Sequence, residues 1–323
     1  MFRYALKRLG LAILVMVTVS IISFALVRAS GDIAIAVAGE GATNADIEAI
    51  RHEYGFDRPL VIQYLDWASD IAVGNFGQSL FFKRPVIEVL FDRMPVTLML
   101  GFISLGFAML LAIPLGTAAA LRPNSIIDRL CLGIAVLGQA TPSFWFALLM
   151  ILVFGVMWRI LPVSGTETWK HFVLPVVVLG YYVIPAIMRL TRAGMIEVLE
   201  ADYIRTAKAK GLNIGTVVFK HGLRNAIIPV VSLLAVQLGF MLGGSVVVET
   251  IFSINGVGHL ALVSIERSDF PMIQGIVLIL AILYILLTLF ADLLNGWLDP
   301  RIIGCNGISG LKLGWECWSL SFS

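Results

Sequence analysis

Residues 95–121 read PVTLMLGFISLGFAMLLAIPLGTAAAL, a stretch of 27 residues without a charged side chain. A helix that crosses the hydrocarbon core of a bilayer needs about 20 mostly apolar residues, so this stretch predicts a transmembrane helix. Five more uncharged apolar stretches lie on either side of it, at residues 9–27, 130–158, 172–188, 225–248 and 270–291. The sequence therefore predicts an all-α polytopic membrane protein with six transmembrane helices. Pro142, in the third stretch, either kinks one long helix or marks its irregular start.

The composition of the chain excludes several other classes of protein. Of its 323 residues, 59% are hydrophobic and 14% are charged, and the mean hydropathy is +0.93. Soluble domains carry about 25% charged residues, and disordered chains are charged and poor in apolar residues, so neither class fits. The formal net charge of +2 is too small for a general nucleic-acid binder.

Sequence motifs for catalysis, metal binding and nucleotide binding are missing from the chain. The three cysteines, Cys131, Cys305 and Cys317, form no CxxC pair and have no metal-ligand spacing. No GxxxxGKS or GxxxxGKT phosphate loop, no HExxH and no GxSxG occurs. We therefore predict no catalytic residue, no metal site and no cofactor bound by this chain.

Basic residues in the short connections predict the orientation of the chain. With the N-terminus inside, the cytoplasmic side holds 14 Lys and Arg residues, whereas the short outside connections hold only Arg159, Lys170 and Arg267. Because positive charge favours the cytoplasmic side, we expect both termini to be cytoplasmic. The first apolar stretch is longer than the core of a signal peptide and Arg28 follows it directly, so it predicts a retained anchor.

The long outside loop, residues 28–96, predicts short helices separated by turns. Helical patterns cover residues 44–54 and 59–72. A brief amphipathic stretch follows, which we expect to lie in the membrane interface before the second span; its apolar residues are Val86, Val89 and Leu90. The sequence leaves open whether the loop is a cap over the helix ends or contacts a substrate or partner.

The inside loop, residues 189–228, has the pattern helix, break, helix. Residues 199–210 predict an amphipathic helix with early acids and late bases, the order that the helix dipole favours, and Gly211 ends it. Residue chemistry alone leaves two roles open: docking in a groove of a partner protein, or lying on anionic lipid. The apolar stripe of this helix consists of Leu199, Tyr203, Ile204 and Ala207.

This loop resembles a motif of a known family. Glu200-Ala201-Asp202, then Gly211, then Ile227-Ile228-Pro229 resembles the E-A-A…G…I-x-P loop of the permease subunits of bacterial binding-protein-dependent ABC importers. The sequence departs from the motif at Asp202, where the family often has a second Ala. Residues 203–212, YIRTAKAKGL, look like the dipeptide, oligopeptide and nickel branch. Further similar motifs follow the family order: GFDRPL (55–60), PVTL (95–98), PSFW (142–145), ETIF (249–252) and DPR (299–301).

The resemblance implies a subunit of a one-way importer in the bacterial inner membrane. It implies that the inside loop forms a coupling helix in a groove of a separate ATPase subunit, where Ala201 and Ala207 must stay small. It also implies two ATPase subunits that use ATP and Mg, a second homologous permease and a periplasmic binding protein. Small peptides are the common cargo of the branch, with nickel chelates, glutathione or another small solute as alternatives. The residues that it assigns to coupling are Glu200, Ala201, Asp202, Ala207 and Gly211.

Two polar residues of the fifth span are candidates for the translocation pathway. Gln237 either bonds a neighbouring helix or lines the pathway. Glu249 lies near the outer end of the span, where a carboxylate is costly unless it is paired or faces water, so we expect it to support a gate or boundary.

A secondary transporter would need midplane charges and often inverted repeats, and the spans show neither. A membrane-embedded hydrolase would need a base near Ser245, and none is in reach.

These interpretations divide the chain into consecutive parts. The predicted parts are a cytoplasmic tail (1–8), the first span (9–27), a periplasmic loop (28–96), a transmembrane domain with the other five spans and the coupling loop (97–301), and an atypical C-terminal tail (302–323).

Overall fold

A computed structural model of the chain describes residues 2–39 and 41–298. Within these residues the regular secondary structure is helical, as the sequence predicts. Two segments are π-helices, Ile151–Met157 and Thr216–Leu223. The α-helices are α1 (Phe2–Ser30), α2 (Ile33–Ala38), α3 (Asn44–Glu53), α4 (Leu60–Ala72), α5 (Val86–Leu121), α6 (Ile126–Ala140), α7 (Ser143–Met150), α8 (Lys170–Glu200), α9 (Asp202–Ala209), α10 (Arg224–Ala226), α11 (Ile228–Ile251), α12 (Val257–Glu266) and α13 (Phe270–Leu298).

Five helices in the described part of the chain are long and apolar enough to cross a membrane, namely α1, α5, α8, α11 and α13. The remaining predicted span, the third along the chain, is bent: α6 and the helical segment from Ser143 to Met157 meet at 100°. The break falls before Pro142, where Thr141 has extended backbone angles (φ −86°, ψ 121°). A residue before proline is pushed out of the helical region because the proline ring crowds it. Residues 130–158 are therefore two helical arms, with the kink at the predicted proline.

The helix α8 is longer than the sequence predicts. Its span was expected to end at residue 188, with a loop beginning at Arg189, but the helix runs without a break to Glu200. Two of its arginines donate to side chains of α6, Arg189 to Gln139 (2.9 Å) and Arg192 to Asp128. Because α6 provides polar partners for these charges, they do not end the helix, and residues 189–200 extend α8 instead of forming a loop.

Close packing of α5 against α8 forms the centre of the fold. A Cβ atom on Gly180 would lie 2.8 Å from the carbonyl oxygen of Ser104, and one on Gly116 would lie 2.6 Å from that of Met188. Small residues let membrane helices approach closely enough for extensive dispersion contacts. The buried core around this contact includes Leu100, Ala108, Leu179, Ile187 and Leu238.

The segment between α1 and α5 contains the predicted short helices α3 and α4. A capping box of Thr43 and Asp46 begins α3, and Pro59 precedes α4. The expectation that an amphipathic stretch lies in the membrane interface is wrong. α5 already begins at Val86, and the apolar residues of its first turns are buried inside the protein against α12 and α13: Val86, Val89 and Leu90 against Val257, Leu260, Met272 and Ile276.

Two predictions about the chain ends are not tested by the fold. The atypical tail at residues 302–323 and the DPR motif at 299–301 lie outside the described residues. The cytoplasmic location of both termini stays a prediction.

Candidate functional site

The segment that resembles a coupling loop is set off by a sharp break after α8. Glu200 is the last residue of α8, Ala201 has extended angles (φ −66°, ψ 147°), and Asp202 begins α9. An acidic residue in the first helical turn is favourable because the N-terminal end of a helix carries partial positive charge. The short helix therefore begins three residues later than the sequence predicts, and it turns away from α8 at Ala201.

The apolar stripe of α9 packs against this chain itself. Ile204 is fully buried and Ala207 is 8% exposed, and both contact Val217 of the following π-helix. Tyr203 is tied to the same region, since its hydroxyl accepts a hydrogen bond from the Asn225 side chain (2.9 Å). The prediction that a partner approaches Ala207 is therefore wrong in this respect, because the chain's own hydrophobic cluster already covers that face.

The surface that remains for a partner is polar on α9 and apolar just beyond it. Glu200 and Asp202 are exposed, and Asp202 pairs with Arg205 at 3.2 Å. Gly211 follows in the left-handed region (φ +76°), with open space around its Cα atom, so it turns the chain as predicted. Ile214 is 75% exposed beyond this turn. Sequence analysis missed Ile214, although an isolated apolar residue between turn-forming residues was a usable signal.

An ion pair between the buried Asp128 and the partly exposed Arg192 links α6 to α8. Arg192 donates from Nε and Nη2 to the two carboxylate oxygens of Asp128, at 2.6 and 2.7 Å. Asp128 is 2% exposed and also accepts from the backbone N–H of Asn124 (2.9 Å). Bidentate pairs of this kind fix relative orientation as well as position. The pair was missed because 64 residues separate its members.

Glu249 lies at the junction of three helices. Its side chain is fully buried, and it accepts hydrogen bonds from the Thr97 hydroxyl of α5 (2.8 Å) and from the backbone N–H of His259 in α12 (2.9 Å). Thr97 in turn accepts from the N–H of Val257 (2.8 Å). The carboxylate thus binds the orphan N–H groups at the start of α12, as an N-terminal cap would.

Glycines make room for this buried carboxylate. A Cβ atom on Gly256 would lie 2.5 Å from Glu249 Oε2, and one on Gly258 would lie 2.9 Å from the same oxygen. The carboxylate has no contact with solvent, which is compatible with the predicted supporting role and leaves no room for a ligand at this point.

Gln237 lines a cavity of about 540 Å³ formed mainly by α8 and α11. Its side-chain amide forms no hydrogen bond with any residue that the structure describes, so the alternative in which it bonds a neighbouring helix is not what the fold shows. Ser143, Tyr182 and Tyr284 add polar groups to the same cavity, and glycines of α11 form part of its wall. The cavity therefore combines an apolar wall with a few polar groups, the usual composition of a small-molecule passage or pocket. Gln237 and Glu249 are not brought together: the first faces the cavity and the second is enclosed.

Comparison with known proteins covers nearly the whole chain. The family described as "Binding-protein-dependent transport system inner membrane component" matches residues 112–304, and its N-terminal companion family matches residues 1–101. The glutathione transport system permease protein GsiC of Escherichia coli K12 is 40% identical over 303 residues, which are 94% of this chain and 99% of that protein. GsiC of Salmonella typhimurium is 39% identical over the same length.

A solved structure shows the same fold. An inward-facing structure of the MetNI methionine ABC transporter superposes with a TM-score of 0.56 at 20% identity, over 66% of this chain and 97% of that chain.

Proposed function

This chain belongs to the family of inner membrane components of binding-protein-dependent transport systems, and from that membership we propose that it forms half of an import pathway for small peptides, including peptides of the size of glutathione. It is a multi-pass permease subunit of an ABC importer in the inner membrane. The resemblance drawn from the E-A-D segment is confirmed. The observation that carries the proposed substrate class is the 40% identity to a glutathione permease over nearly the full length of both chains.

The proposed assembly supplies what this chain lacks. Two separate ATPase subunits bind ATP and Mg, a second homologous permease completes the pathway, and a periplasmic binding protein delivers the substrate. ATP hydrolysis biases the complex between two conformations and makes no covalent change to the substrate.

We assign the coupling role to the segment from Glu200 to Ile214. α9 follows directly after the 31-residue helix α8, and its exposed side carries Asp202 and Arg205. Because α8 packs along α5 and is tied to α6 by Arg192 and Asp128, a force applied at α9 is transmitted to several helices together. Ala201 and Gly211 set the direction of the segment, and the buried Ala207 holds α9 against its own chain.

We assign the translocation pathway to the cavity that Gln237 lines. An unpaired amide offers both a donor and an acceptor, which matches the hydrogen-bonding groups of a peptide backbone. Glu249 fixes the outer end of α11, which forms part of this wall, because its hydrogen bonds join α11 to α5 and α12. The alternative cargo, a nickel chelate, differs in that it presents few backbone amides.

Uptake by the assembled transporter tests the substrate class. Proteoliposomes that contain both permeases, both ATPases and the cognate binding protein are expected to accumulate labelled dipeptides, tripeptides or glutathione when ATP is supplied. This chain alone is expected to show no ATP-dependent uptake. Accumulation of nickel chelates with no peptide uptake would overturn the proposed cargo, and robust uptake by the isolated chain would overturn the division of labour.

A pair of matched variants tests the coupling surface. Ile214 and Val73 are both exposed apolar residues, at 75% and 81%, but Val73 lies at the end of α4 in the other long connection. Ile214→Asp is expected to reduce co-purification of the ATPase subunits, because it places a charge in the proposed contact, and Val73→Asp is expected to leave it unchanged. Equal retention of the ATPases in both variants would contradict this assignment and favour a lipid-facing role.

A further inference from the structure

A second cavity, of about 930 Å³, lies between the C-terminal half of α1 and the segment from α2 to α4. Its α1 wall is formed by residues that recur every three or four positions, so they occupy one face of the helix. From Ile21 to Arg28 this face extends about 10 Å along the helix axis, at about 1.5 Å per residue. The opposite wall includes Leu60, Val61 and Tyr64 of α4.

One end of this groove is cationic. The Arg28 guanidinium lies between two aromatic rings, 5.1 Å from the centre of Phe24 and 4.8 Å from that of Phe56. Its Nε atom is buried and has no hydrogen-bond partner in the described part of the chain. Arg51 lies at the same end in an ion pair with Asp32, so the lining holds two arginines and one carboxylate. Arg51 also pairs with Glu48 at 3.1 Å, so the cationic group left for a ligand at this end is the Arg28 guanidinium, whose Nε–H donor is paired with no described residue.

A buried acceptor is also unpaired in the groove. Gln63 is 8% exposed, and its Nε2 atom donates to the carbonyl oxygens of Phe56 (3.0 Å) and Arg58 (2.7 Å). These two bonds fix the orientation of the amide, and its Oε1 atom is left without a donor among the described residues. A buried polar atom without a partner costs free energy, so the groove favours a ligand that brings a donor.

The rest of the groove is apolar and open. Ile21, Leu60 and Val61 are 47%, 61% and 70% exposed, and Ile21 lies within the membrane-spanning part of α1. The polar end coincides with the end of that span, which is the depth of lipid headgroups, and the apolar end lies at the depth of acyl chains. The polar end of the groove thus lies at the depth of the lipid headgroups, and the apolar part lies at the depth of the acyl chains.

We propose that this groove binds one phospholipid whose headgroup carries a hydrogen-bond donor, such as phosphatidylethanolamine or phosphatidylglycerol. The phosphate pairs with Arg28, and the ammonium or hydroxyl group donates to Gln63 Oε1. One acyl chain lies along Ile21, Ala25 and Leu60. The lipid joins α1 to α4, which have few direct contacts apart from the Ser20–Tyr64 hydrogen bond (2.8 Å) and the packing of Phe24 on Tyr64 and Trp67.

Native mass spectrometry of the purified transporter complex tests this proposal without substrate or ATP, so its result does not depend on the transport assignment. Phosphatidylcholine has the phosphate but no headgroup donor. Phosphatidylethanolamine and phosphatidylglycerol are therefore expected to bind about five- to tenfold more tightly than phosphatidylcholine. Equal binding of the three lipids would overturn the role of Gln63.

Two variants address the two ends of the groove separately. Arg28→Gln is expected to weaken binding of all three lipids about tenfold or more, because it removes a charge-assisted hydrogen bond. Ala25→Phe fills the end of the groove that holds the acyl chain, and it is expected to release the lipid although Arg28 is intact. Ala25 is exposed, so the larger ring fits without disturbing the core. Arg84→Gln is the control, since Arg84 is an exposed arginine that pairs with Glu88 and Asp92.

The outcomes separate a lipid site from a protein-docking site. Loss of bound lipid in both groove variants, with the control unchanged, supports the proposal. Unchanged lipid in both variants overturns it, and weaker capture of the periplasmic binding protein with unchanged lipid identifies the groove as a protein contact instead. If the complex with Arg28→Gln does not assemble, Arg28→Lys keeps the positive charge, and Ala25→Phe still tests the acyl-chain end of the groove.

Discussion

Removing one hydroxyl group at Thr97 is expected to release the start of α12. The Thr97 hydroxyl donates to Glu249 and accepts from the N–H of Val257, and all three residues are buried. Thr97→Val keeps the shape of the side chain but loses both bonds. A hydrogen bond to a charged group contributes about 1.5–3 kcal/mol, and a buried N–H left unpaired costs about 1–3 kcal/mol. These contributions are not fully additive, so we expect local opening of α12 to become easier by about 3–4 kcal/mol, which is roughly a 100- to 1,000-fold faster exchange.

Amide hydrogen exchange measures this effect directly. Peptides that cover the beginning of α12 are expected to lose protection in Thr97→Val, whereas Thr97→Ser keeps the hydroxyl and is the matched control. Peptides from α9 are expected to exchange equally in both variants, because α9 has no contact with this network. If the two variants exchange at the same rate at Val257, the Thr97 hydroxyl does not hold the start of α12, and the link from Glu249 through Thr97 to this helix is refuted.

Three further perturbations address the coupling segment, the cavity and the ion pair. Gly211→Ala places a side chain in the left-handed region at a cost of about 1–2 kcal/mol, so it is expected to lower ATPase retention and uptake; Gly215→Ala, at φ −59°, is the control and should behave as the wild type. Gln237→Leu is expected to lower peptide uptake several-fold with ATPase retention unchanged, and unimpaired uptake would remove Gln237 from the pathway. Asp128→Asn leaves Arg192 without its buried anionic partner and is expected to lower the melting temperature of the complex by several degrees. An unchanged melting temperature would show that this ion pair does not stabilise the complex.

The positions of the spans and of the main turns were readable from the sequence. A stretch such as residues 95–121 predicts a span because transfer of apolar residues into lipid depends on length and composition, which are local properties. Gly211 predicted a turn for the same reason, since a left-handed backbone is nearly free of strain only for glycine. The E-A-D segment and its surroundings predicted the family, because motif residues and their spacing are also local.

Tertiary structure decided what each face and each polar group contacts. The stripe of α9 and the first turn of α5 are apolar in sequence, but only the fold shows that this chain covers both of them, at Ala207 and Val86. Glu249 meets Thr97 across 152 residues, and Gln237 meets no described hydrogen-bond partner. Hydrophobic periodicity identifies which face of a helix is buried, but it does not identify the helix that packs on that face. That partner is set by how helices distant in sequence pack together. For the same physical reason the polar atoms of Arg28 and Gln63 became recognisable as unpaired only when the helices around them were in place.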